Sequence, residues 1–177
     1  FMFAMCSATD SFDISLSAEG VDIAEAMFDG DATEPNYQSK INYNKTFAFK
    51  DFDLVRSPTT YEFSSIDMTS KRSIPKTSDY FSLIEFSAKW DPVPTMLTQN
   101  HTTLVKGFMG QTTSFDIETV KTNVLVLGEN RTNREARYIH GTKGKGMFTF
   151  YGGHDPEDYT HRVGDPKTEL DLHPTSP

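Results

Sequence analysis

Cysteine is almost absent from this chain: Cys6 is the only one in 177 residues. A single thiol excludes an internal disulfide and any cysteine-rich zinc site. Long apolar runs are missing too, and no stretch approaches the ~20 residues that a bilayer-spanning helix needs. Basic residues are outnumbered, 17 Lys and Arg against 25 Asp and Glu, for a net charge of −8. That balance argues against a nucleic-acid backbone or an anionic membrane surface as the main partner, since either would repel the chain. None of the five histidines falls in an HxH or HExxH spacing, so no dedicated metal site is expected. The glycines near residue 144 are not followed by the GK[ST] of a phosphate loop, and they precede a strand instead of opening a helix. No cofactor is expected. Internal repeats, heptads and low-complexity tracts are also lacking.

What remains has the composition of a folded domain. Hydrophobic residues make up 36% and aromatics 12%, enough for one domain with a real core. Phe1 to Met5 has strand character. Residues 7–19 fit a helix with Phe12 and Leu16 on one face and Gly20 as its stop. Val21–Phe28 fits either a short helix or a strand, and Asp29-Gly30-Asp31 signals a turn. From about 32 to 95, the runs TFAF, FDLV, YEFSSID and YFSLIEFSA alternate with polar loops and predict a β-rich insertion or a set of hairpins. TLVKGFM (103–109), NVLVLGEN (123–130) and GMFTFYGG (146–153) read as strands. NVLVLG is nearly all apolar, the pattern of a strand buried on both faces.

Two stretches carry chemistry. In FMFAMCSATD a strand runs into Cys6 and a helix follows. Such a turn presents a nucleophile, and the helix N-terminus lowers a thiol's pKa and offers N–H groups to an oxyanion. A buried apolar thiol is the alternative. In FYGGHDPEDY a strand delivers Gly152, Gly153 and His154 at its C-terminal end, where open α/β sheets bind ligands. The paired glycines suggest that something needs room there. Asp155, Glu157 and Asp158 can orient or charge the imidazole. The same residues also fit a helix start, with Asp155 as cap and Pro156 at the first position. The other histidines, His140 among them, sit in polar segments. The acidic cluster at 29–34 reads as a solvated loop.

FMFAMCSATDSFDI, AEGVDI, MFDGD, FSAKWDPVPTML, KGFMGQTT, GEN, EARYIHG and FYGGHDPEDY…VGDP together resemble the C-terminal part of a bacterial family catalogued as "asparagine synthetase B". The resemblance covers nearly the whole chain. It implies an N-terminal α/β half before Phe1 and a final helix after Pro177. Glutamine-dependent asparagine synthetases have a different design, with an N-terminal cysteine nucleophile and an ATP-pyrophosphatase loop, and neither is in this sequence. More broadly the chain is similar to class I glutamine amidotransferase-like and ThuA-like (trehalose utilisation) proteins. Their G-x-C-x-G elbow would fall on Ala4-Met5-Cys6-Ser7-Ala8, with alanine at both glycine positions. The ThuA-like pattern would fall on Gly144-Lys145-Gly146 and on Gly153-His154-Asp155-Pro156-Glu157.

The expected fold is therefore α/β: a three-layer flavodoxin-like or class I glutamine amidotransferase-like sheet with a β-rich insertion at about 32–95. In the enzymatic reading Cys6 attacks an amide or acyl carbon, and His154 moves the proton. Glu157 or Asp155 orients His154, and the Ser7 backbone helps hold the oxyanion. Gly152, Gly153 and Tyr159 would line the ligand site. A second reading is a non-catalytic module for a carbohydrate or small polar ligand, with Trp90, Tyr151 and Tyr159 stacking on a sugar. A third is an assembly protein, with a homo-oligomer formed through the insertion. The substrate stays open, as does the choice between cytoplasm and periplasm.

Overall fold

The computed structural model describes residues 1–71, 79–83, 104–106 and 111–153. Strand β1 (Met2–Met5) leads into helix α1 (Ala8–Ser17). Two four-residue helices follow, α2 (Ala26–Asp29) and α3 (Tyr37–Lys40). The strands then come in order as β2 (Tyr80–Leu83), β3 (Leu104–Lys106), β4 (Phe115–Asp116), β5 (Leu125–Asn130), β6 (Glu135–Lys143) and β7 (Gly146–Tyr151). All seven join one sheet in the order β1-β7-β6-β5-β2-β3, with β4 pairing separately onto β6. The content is mixed α/β. Strands β1 and β7 run parallel, and the other pairings are antiparallel.

Local chemistry explains the elements. Gly20 sits at φ 80 just past α1, where a side chain would be strained. Gly30, at φ 91, caps α2 in the same way. The β6–β7 hairpin closes through Gly144 and Lys145 between the paired Lys143 and Gly146, with Gly144 at φ 60. A two-residue hairpin turn needs such a residue.

The core forms where α1 and the segment from Ile41 to Ile66 cover the sheet. Ile14 and Ala18 meet Phe49, Phe52, Phe115, Phe148 and Phe150 there. Burying each of these phenylalanines stabilises the fold by about 1.5–3 kcal/mol. Phe12 packs edge-on against Phe47 at 5.0 Å. It is only half-buried, however, and the inward face of α1 carries Asp10, Asp13, Ile14 and Ser17. The apolar pair Phe12 and Leu16 is thus not what the helix buries.

Three expectations change. The runs TFAF, FDLV and YEFSSID form no ladder; they meet neighbours through single bridges, Phe49 with Val120, Leu54 with Ser64 and Asp67 with Phe115. Side chains take the place of a partner strand. Asp13 accepts the backbone N–H groups of Phe47, Ala48 and Phe49 at 2.7–2.9 Å, and Gln38 bonds Leu54 N and Phe52 O. Strand β5 is not buried on both faces, since Leu125 is 39% exposed. The longest buried run among the described strands is Glu135–Gly141 of β6, in a stretch that reads as polar. Its charge is neutralised internally. The Arg137 guanidinium, fully buried, pairs with Asp79 at 2.6 Å and Glu135 at 3.0 Å. His140 lies buried in the same strand with Nδ1 2.9 Å from Thr149 Oγ1, and burial lowers its pKa.

Candidate functional site

The parallel register pairs Met5 with Tyr151, so β1 and β7 end together at one edge of the sheet. Cys6 follows directly. Its backbone N–H donates to Tyr151 O at 3.2 Å, and its carbonyl accepts from Thr9 N and Thr9 Oγ1. The thiol-bearing residue is half-buried. Its φ is 57, left-handed and uncommon for a residue with a side chain. A strained residue at a sharp strand-to-helix turn is the geometry of a nucleophile elbow. Ala4 and Ala8, which flank it, lie in ordinary strand and helix conformations. Ser7 is the N-cap of α1, and its side chain makes no capping bond.

The end of β7 is equally constrained. Gly152 donates to Arg137 O at 2.7 Å and Gly153 to Thr112 O at 3.0 Å. A Cβ on Gly152 would stand 2.5 Å from Thr113 O. The room this glycine leaves is thus taken by the Thr113 backbone. Gly153 adopts φ 70. Tyr151 is buried, 5.2 Å from the Tyr138 ring, so it offers no face to a sugar. His154, Asp155, Glu157, Asp158 and Tyr159 lie outside the described residues, as does Trp90.

Sequence reasoning missed the acidic floor of this edge. Asp10, one turn into α1, and Asp67 are both fully buried. Thr112 joins them: its hydroxyl donates to Asp10 Oδ1 at 3.1 Å and its backbone N–H to Asp67 Oδ2 at 3.2 Å. Thr112 itself holds φ 55, an outlier for a β-branched residue. Its hydroxyl, amide and carbonyl are all engaged, which keeps it there. The Asp10 Oδ2 atom has no hydrogen-bond partner. Burial, and secondly the charge of Asp67, push the Asp10 carboxyl up to about 7. Asp67 is also raised, chiefly by burial. Tyr61 stands near the same group: partial desolvation, then Asp67 and Cys6, raise its phenol. Three positive-φ residues, a thiol and a pair of buried acids therefore gather at one sheet edge. Only the TTS turn and the D in SATD hint at this in the sequence, and neither shows that they meet.

A separate carboxylate cluster lies on the surface. Asp22, Asp29 and Asp31 have oxygens within 4.8 Å of one another, with the latter two exposed, and repulsion from Asp29 raises Asp31. This agrees with a solvated acidic loop. No helix among the described residues is long and apolar enough to cross a membrane.

Comparison with known protein families, with curated proteins and with solved structures finds no significant match to this chain.

Proposed function

We propose that this chain carries an amidotransferase-like active site in which Cys6 performs amide or acyl transfer. The observation that carries the reading is the elbow: a cysteine at φ 57 between β1 and α1, bonded to the last residue of β7. In sequence, His154 follows Gly153 directly. The Cys6 thiolate adds to the carbonyl carbon of a small carboxamide, and His154 takes the thiol proton. His154 returns that proton to the nitrogen as the C–N bond breaks. Water then hydrolyses the thioester. Asp155 or Glu157 orients His154, and backbone N–H groups near Ser7 steady the oxyanion. The parallel β1–β7 pair with α1 leaving directly after β1 supports reading the sheet as flavodoxin-like or class I glutamine amidotransferase-like, in three layers.

The test is the rate of Cys6 alkylation by iodoacetamide as a function of pH. The proposal expects rapid labelling of the native chain at neutral pH, lost in His154→Ala. It also expects ammonia release from a carboxamide panel to vanish in Cys6→Ser. Labelling that waits for unfolding would overturn it and leave the non-catalytic binding module as the better account.

A further inference from the structure

A cavity lies beside α1, against Ser11, Ile14, Ser15 and Ala18. It encloses about 670 Å³, within the range of small-ligand pockets. Ile14 and Ala18 of α1, with Leu54, form a buried apolar floor. At its mouth Phe28 and Phe63 are 66% and 47% exposed. Helix α2, which carries Phe28, buries none of its residues. Two large rings held open over an apolar floor call for an apolar occupant.

Among the polar residues of its wall, Glu25 and Arg56 carry charge. Arg56 lies over the Tyr37 ring at 4.1 Å. Its Nη1 is buried and makes no hydrogen bond. Glu25 Oε1 is 3.2 Å away, within ion-pair range but out of hydrogen-bond alignment, and that carboxylate is partly exposed. That ion pair leaves Nη1 without an aligned hydrogen bond, and a charged acceptor in line with the N–H is its best partner. A monocarboxylate can take that donor as Glu25 swings to solvent.

We propose that this cavity binds an amphipathic monocarboxylate, with its apolar body between Phe28 and Phe63 and its carboxylate on Arg56. The site is independent of Cys6. A ligand there rests against the helix whose N-terminus forms the elbow.

Calorimetric titration of the native chain with decanoate, below its micelle threshold, tests this. The expected result is one saturable site. Arg56→Gln weakens it about tenfold or more, the worth of one charge-assisted hydrogen bond. Ser15→Trp abolishes it by filling the cavity from an exposed helix position. Methyl decanoate, lacking the charge, binds as weakly as decanoate does to Arg56→Gln. Absence of binding to the native chain would overturn the proposal. So would binding that Ser15→Trp leaves intact, or equal affinity for the ester and the acid.

Discussion

The Asp10 and Asp67 carboxylates are bridged by Thr112, whose hydroxyl donates to the first at 3.1 Å and whose backbone N–H donates to the second at 3.2 Å. Burial, and secondly the charge of Asp67, favour the protonated form of Asp10 in the folded chain.

The consequence for stability has a definite sign. Unfolded, Asp10 loses its proton near 3.8; folded, it keeps it to about 7. Its stabilising contribution is complete below the first value and is lost as pH rises through the second. Asp67 and Asp13 shift in the same direction. Unfolding stability should fall between about pH 4 and about pH 7, and Asp10→Asn should flatten that fall by up to about 4 kcal/mol. Urea titrations at both values check it; an unchanged slope in the variant would count against the pair.

Cys6 predicts a backbone effect separable from chemistry. At φ 57 a β-branched side chain is strained and glycine is not. Cys6→Val should lose about 1–3 kcal/mol relative to Cys6→Ala, and Cys6→Gly should be at least as stable as Cys6→Ala. Equal unfolding midpoints for all three would remove the elbow strain.

Gly152→Ala should be destabilising by about 1–3 kcal/mol, because the Thr113 backbone must move to admit a methyl group. Gly144→Ala, with open space around it, meets only the cost of its positive φ. The two variants, compared by thermal unfolding, separate crowding from conformational strain.

Arg137→Met removes the cation that pairs with the buried Asp79 and Glu135 carboxylates. A loss of about 3–5 kcal/mol is expected in urea unfolding at neutral pH. A loss below about 1 kcal/mol would show that the ion pairs contribute little.

What was legible in the sequence was local. The strand into Cys6, the helix after it, the stop at Gly20 and the β6–β7 turn at Gly144 each rest on neighbouring residues. Position 6 emerged as a turn because strand and helix periods change there. Asp10, Asp67 and Thr112 come from distant parts of the chain, and no spacing announces their meeting. Strand β6 was hidden for another reason: Glu135 and Arg137 look solvated until their ion pairs are known. The 46–67 runs look like strands because they are apolar and extended, yet Asp13 and Gln38 supply the hydrogen bonds that a partner strand would have given.

The register that sets Met5 beside Tyr151 also decides where this chain can change length. A residue added or removed within β1 or β7 would slide Cys6 out of step with Gly152 and turn inward side chains outward. At the opposite end of β7, the Gly144–Lys145 turn has open space around its glycine. Insertions should be tolerated at that turn and rejected at the strand ends, so one end of the hairpin is free to vary and the other is fixed in length.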